Sequence, residues 1–270
     1  MSKIRTTTEL IMRLKTNNIE LTDFDYKEGK TKDKYLESHP FIARGRRYYQ
    51  NPHFFSVLFD QGLSDEVDFI CNMGEFQPDY YVLTAFVVAN SKIANRYISS
   101  LSKRFFIDDT TLTQEEKNKA MNDLMVDCAA ENRLDIYKEL EAIAKEGNIA
   151  PLYGNYANAG DGYCLYDACK YLDNEFAYYL LDNEADVTLN DSMAFPVACK
   201  EGNYIMALEL AKRGIDIHTK KDLGRMMISR NDRLRKDITE ENLKAKEELL
   251  KLYEESDKDE LLQDIQQDSE

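Results

Sequence analysis

The chain has 270 residues, with 35 basic against 50 acidic side chains and a formal net charge of −15. Charged residues at 31% and hydrophobic ones at 43% fit a soluble, folded chain, and no apolar run approaches the roughly 20 residues that a membrane helix needs. The acidic balance argues against direct nucleic-acid binding, which neutralises phosphates with lysine and arginine, so neither nucleic acid nor membrane is expected as a partner.

The N-terminus, with Lys3, Ile4 and Arg5 ahead of three threonines, lacks the apolar core of a signal peptide. Five cysteines (Cys71, Cys128, Cys164, Cys169, Cys199) form no CxxC pair, which predicts reduced, buried thiols and a cytoplasmic setting. Residues 1–50 read as an N-terminal cap carrying 11 basic and 7 acidic side chains. Within it Thr8 is the expected N-cap of a helix through Leu10, Ile11 and Leu14. A lysine-rich loop is expected at 27–34. The cluster Arg44, Gly45, Arg46, Arg47, Tyr48 and Tyr49 could stack on bases, but the acidic remainder favours a solvated rim.

From residue 51 onward the sequence repeats itself. Ala168, Cys169 and Lys170 recur 30 residues later as Ala198, Cys199 and Lys200, and Ala185, Asp186 and Val187 recur as Ile215, Asp216 and Ile217. With Ala168 and Ala198 as anchors, Leu58, Ala85 and Cys128 mark earlier copies. Three positions before the five anchors stand Phe55, Val82, Met125, Leu165 and Phe195; twelve after them stand Ile70, Tyr97, Leu140, Leu180 and Leu210. Eight after them come Glu66, Ile93, Ile136, Phe176 and Met206, with the first breaking the apolar rule. Each copy then predicts two short helices, at about −3 to +3 and +7 to +15 from the anchor, with one apolar face on the second. A unit this small cannot bury that face alone, so stacking must supply the core.

The stretch from Ala198 through Gly202, Asn203, Leu208 and Leu210 to Gly214, Ile215, Asp216 and Ile217 closely resembles an ankyrin repeat, and the copy from Ala168 to Val187 is similar to it. The resemblance covers about residues 52–222. It departs from the family in lacking the T-P-L-H-x-A start and in its anchor spacings of 27, 43, 40 and 30 against about 33. Insertions are expected near 103–120 and 151–162. The resemblance implies an all-α, ankyrin-like helical-repeat solenoid of about five units over 51–224. A C-terminal acidic helical cap and tail, 225–270, would follow. In it a helix is expected from Thr239 and Glu240, with Leu243, Leu250 and Tyr253 as its stripe and fraying from Asp257.

No catalytic constellation is visible. His39, His53 and His218 are too scattered for a metal or a general base, and there is no GxSxG, Walker or HExxH motif, so neither a cofactor nor an enzymatic activity is expected. The glycine-rich loop 154–162 carries an acid and no lysine, which suits a connection better than a phosphate cradle. His218 falls on a predicted hairpin between units and reads as a surface histidine. Cys169 and Cys199 read as packing residues.

In ankyrin-like arrays ligands meet the hairpin tips and the exposed side of the first helices. The resemblance therefore implies a protein-binding surface of Lys170, Tyr171, Thr188, Asn190, Asp191, Lys200, Glu201, His218, Lys220 and Lys221. The expected function is a non-enzymatic scaffold or adaptor that binds another protein. Divergent arrays of this kind also resemble phage, viral or bacterial factors directed at host proteins. The alternative is an acidic DNA mimic that blocks a nucleic-acid-binding protein.

Overall fold

The computed structural model describes residues 4–19, 52–73, 76–89, 91–231 and 239–267. Every regular element among the described residues is a helix and none is a strand, so the fold is all-α. No described helix is long and apolar enough to cross a membrane. The chain divides into two compact units, Met1–Glu131 with Asp135–Ala150, and Asn132–Leu134 with Pro151–Glu270. The lysine-rich loop 27–34, His39 and the cluster Arg44 to Tyr49 lie outside the described residues.

The first unit opens with α1 (Thr7–Thr16), whose N-cap is Thr6 rather than Thr8; the Thr6 side chain accepts from the Glu9 amide at 3.2 Å. Two helix pairs follow, α2 (Pro52–Asp60) with α3 (Ser64–Cys71) and α4 (Tyr80–Ala89) with α5 (Lys92–Lys103). A single π-helical turn, Arg104–Asp108, leads to α6 (Gln114–Ala130) and α7 (Leu134–Glu146). A Thr113–Glu116 capping box starts α6, satisfying amides that the helix itself leaves open. Helices of like rank stack: α2 packs on α4, α4 on α6, and α3 on α5. At the centre Phe55 meets Phe86 at 5.0 Å and Phe76 at 5.7 Å, and Phe59 stands edge-on to Phe86 at 5.0 Å. Such offset pairs add about 0.5–1.5 kcal/mol each to the area they bury.

The second unit contains α8 (Tyr163–Ala168) with α9 (Glu175–Asp182), α10 (Ala194–Glu201) with α11 (Tyr204–Lys212), and α12 (Thr219–Asn231) with α13 (Glu240–Gln267). Here α8 packs on α10, α10 on α12, and α11 on α13. Ala168 and Ala198 are fully buried, as a close approach of stacked first helices requires. The α13 helix continues to Gln267 instead of fraying from Asp257. Its buried stripe is Ala245, Leu249 and Tyr253, spaced by four; Leu250 is half-buried and Leu243 exposed, so the expected stripe is rotated.

All five anchors and their −3 partners are buried, each on the first helix of a pair. At +8 even Glu66 is buried, at 4% exposure, and α1 explains it: Arg13 brings its guanidinium to 3.6 Å from the Glu66 carboxylate. At +12 Tyr97 is the half-buried exception, its hydroxyl donating to Asp68 at 2.6 Å.

Buried asparagines bind the second unit's pairs together. Asn203 donates from Nδ2 to the Tyr171 carbonyl and to Asn174 Oδ1, both at 2.7 Å, while its Oδ1 accepts from the Met206 amide. Asn242 repeats this one pair later, donating to the Gly202 carbonyl at 2.6 Å and accepting from the Ile205 amide at 3.1 Å. Asn158 accepts from the Asp186 amide at 2.8 Å. Arg213 completes the set by donating to the Leu181 carbonyl at 3.0 Å. Backbone groups at the helix ends are thereby satisfied by the neighbouring pair, as buried polar groups must be.

Candidate functional site

Three segments of the second unit leave right-handed backbone space at a 30-residue interval. Gly160, Asp161 and Gly162, then Asn190, Asp191 and Ser192, then Lys220, Lys221 and Asp222 all have φ between 51° and 85°. These short left-handed turns stand where the sequence predicted hairpins. Each opens the first helix of a pair: α8, α10 and α12. Seven of the nine residues are not glycine, and a left-handed conformation costs an L-residue roughly 1–2 kcal/mol.

The turns form one row. A Cβ on Gly162 would come within 2.6 Å of Leu189 Cβ and 3.4 Å of the Asn190 nitrogen, so the first turn abuts the second with room for glycine alone. Between the second and third, Lys220 Nζ lies 2.8 Å from Asp191 Oδ2 and Thr219 Oγ1 reaches the Asp191 carbonyl at 3.5 Å. The chain enters the second and third turns in the same way. Asp186 accepts from the Thr188 hydroxyl at 2.7 Å and amide at 2.9 Å, which holds its carboxyl below the usual range. Thirty residues on, Asp216 accepts from the His218 amide at 2.9 Å.

Six of the ten residues expected to bind a partner lie on or beside this row: Thr188, Asn190, Asp191, His218, Lys220 and Lys221. The other four, Lys170, Tyr171, Lys200 and Glu201, sit at the C-terminal ends of α8 and α10, the far end of those helices from the turns. Several make contacts within the chain. Lys170 pairs with Asp167, Lys200 meets Glu201 at 3.3 Å, the Thr188 hydroxyl is taken by Asp186, and the Tyr171 carbonyl serves Asn203. Lys221 is exposed at the crest of the third turn. Asp161, Ser192 and Asp222 belong to the row as well; the 30-residue register that linked Ala168 to Ala198 would have found them.

His218 is not a plain surface residue. Its Nδ1 lies 2.6 Å from Asp222 Oδ1, its Nε2 lies 3.0 Å from Ser256 Oγ, and its ring stands edge-on to Tyr253 at 5.4 Å. Carboxylate, imidazole and hydroxyl thus follow one another in the order of a hydrolytic relay. A nucleophile also needs free donors aimed at the developing oxyanion. Ser256 lies inside α13, where backbone amides are bonded to carbonyls one turn back. The Arg225 guanidinium is held by Asp257 at 2.9 Å and by the face of Tyr253. The arrangement acts as a tie between α12 and α13, beside the Tyr253 hydroxyl, which donates to the Ile217 carbonyl at 2.9 Å.

All five cysteines are buried and none forms a disulfide. Burial pushes the Cys199 thiol up to about 12 and raises those of Cys71 and Cys169 as well, which suppresses the reactive thiolate. Among the described residues no group of three or more histidine, cysteine or acidic side chains is arranged to hold a metal ion. Comparison with family models, with curated proteins and with solved structures finds no match to this chain.

Proposed function

We propose that this chain is a non-enzymatic scaffold or adaptor, built as a divergent ankyrin-like solenoid, that grips another protein along the row of left-handed turns. The observation that carries the reading is the row itself. Three turns in identical register place exposed Asp161, Asp191, Lys220 and Lys221 side by side on strained backbone. Strain persists where the surrounding structure over-determines it, and it concentrates at binding sites. The stacked helices behind the row supply a rigid support, and a preorganised surface loses less entropy on binding. A role as a phage, viral or bacterial factor aimed at a host protein follows from the resemblance to ankyrin-type arrays, and a cytoplasmic setting suits five cysteines of which none forms a disulfide.

The test is affinity capture with the full chain, followed by binding titration of each captured protein against a row variant, Asn190→Ala with Asp191→Ala and Lys221→Ala. His218 is left intact, because its replacement would loosen α12 from α13. A partner that loses tenfold or more in affinity at unchanged melting temperature supports the reading. Partners that bind the row variant as tightly as the parent chain would sink it. Competition with duplex DNA, weakening steeply with salt, would point instead to the acidic mimic.

A further inference from the structure

The α1 helix is keyed to its own unit through one side chain. Among the described residues, its only ion pairs with another helix come from Arg13, which stands 3.3 Å from Asp65 and 3.6 Å from Glu66, both in the first turn of α3. The other polar contacts along α1 stay local: Arg5 and Thr6 with Glu9, Thr16 with Met12, and Asn17 with Arg13. The two acids are not equivalent. The Asp65 side chain is 51% exposed and that of Glu66 only 5%. Glu66 also stands where the other copies of the repeat carry Ile93, Ile136, Phe176 and Met206. Taking the partner from a buried pair costs about 3–5 kcal/mol, because the charge left behind stays out of water. The seat on α3 therefore requires an arginine, and a separate helix must bring it.

Two open clefts flank that seat. One, of about 700 Å³, is lined by Arg13, Thr16 and Asn17 on one side and by residues 61–66 on the other. The second, of about 270 Å³, lies between Ile4 and the α3 residues Asp65, Asp68 and Phe69, with Asn72 and Met73 beyond. Both are bounded only by α1, its flanking residues and the segment 61–73, so α1 can leave or enter without any other described helix moving. Residues 17–51 join α1 to α2, chain enough for α1 to reach a neighbouring molecule. The α1 of a second copy brings the same buried Leu10 and Leu14 and the same Arg13, so contacts broken on opening are remade on exchange.

We infer that α1 is an exchangeable strap: two copies of the chain close into a dimer in which the α1 of each lies on the α3 of the other, and Arg13 of one copy neutralises Glu66 of its neighbour. Proximity alone favours the monomer. A connection of this length holds α1 near its own seat at roughly millimolar effective concentration, so the parent chain closes on itself when dilute.

Charge reversal tests the exchange. Arg13→Glu and Glu66→Arg are made in separate chains, so that each alone sets like charges on α1 and α3. Kept apart at about 50 μM, both should be monomeric and melt below the parent. In an equal mixture the unaltered α1 of one chain meets the unaltered α3 of the other, and the two altered elements also attract. Light scattering should then find roughly half of the protein or more at twice the chain mass, with a melting temperature above that of either variant alone. Both changes placed in one chain restore the pair within it and should return a monomer. If Glu66→Arg does not fold, Asp65→Arg at the exposed acid takes its place. A mixture that stays monomeric and melts as the sum of its parts overturns the proposal. So does a dimer in either variant alone, which would put the contact elsewhere.

Discussion

Asp127 shows how a single carboxylate can work against the fold it belongs to. It lies on α6 against α4, where its Oδ2 accepts from the Tyr80 hydroxyl at 3.1 Å and from the Thr84 hydroxyl at 2.9 Å. Burial outweighs those two hydrogen bonds, the charges of Asp123 and Glu131 add to it, and the pKa is pushed up to about 6. A carboxyl that holds its proton more tightly when folded stabilises the native state most below its unfolded pKa. That contribution is lost as pH rises through the folded value. Between roughly pH 4 and 6 the chain therefore loses stability from this group and thereafter carries the cost unchanged. Asp127→Asn keeps an acceptor for Tyr80 and Thr84 and removes the charge. Denaturant titrations should find the variant more stable at pH 7.5 by up to about 3 kcal/mol, two pH units at 1.36 kcal/mol each, and nearly equal to the parent at pH 4. A variant that is weaker at pH 7.5 would show that the hydrogen bonds, not desolvation, dominate the site.

At the scale of the element, the pairs hold because helix ends borrow partners from the next pair. Asn203→Ala strands the Tyr171 carbonyl, the Asn174 side chain and the Met206 amide together. Leaving buried polar groups unmet costs about 1–3 kcal/mol apiece, less where water reaches them, so a total loss of about 2–4 kcal/mol is expected from chemical denaturation. The turns invite a milder test. Lys221 has φ 58°, and glycine there removes left-handed strain of about 1–2 kcal/mol but adds unfolded-state freedom worth about 0.5–1 kcal/mol. Melting should rank Lys221→Gly at or slightly above the parent and Lys221→Val clearly below it; the reverse order would remove the turn. The helix pairs were legible because their spacing is written in small and apolar residues, and even the misfit at Glu66 marks a real contact with Arg13. The turns were not, because asparagine, aspartate, serine and lysine suit many loops and only Gly160 and Gly162 advertise positive φ. Nor was α12: Lys220 and Lys221 read as hairpin residues of the binding surface, and no helix was expected over 219–231. Gly224 is needed there because a Cβ would stand 2.4 Å from the Phe195 ring. The meeting of His218 with Ser256 spans 38 positions and exists only once α12 and α13 are packed.

Taken whole, the molecule is an acidic body in which two electrostatic effects compete. Exposed ion pairs such as Lys103 with Glu146, Lys212 with Glu248 and Lys244 with Glu240 each gain little, about 0–1 kcal/mol, and salt weakens them. Against them stands the mutual repulsion of 50 carboxylates offset by only 35 cations, which salt also weakens. Repulsion has the larger stake because the excess acid is crowded into the chain beyond residue 50, residues 1–50 being net basic. The 30 residues from 241 to 270 alone carry 11 acidic and 4 basic side chains, and 151–191 carries eight against one. Raising sodium chloride from 10 to 300 mM should therefore raise the melting temperature, by about 3–6 °C if screening restores 1–2 kcal/mol in a chain of this size. A melting temperature that falls with salt would mean that the ion pairs outweigh the repulsion.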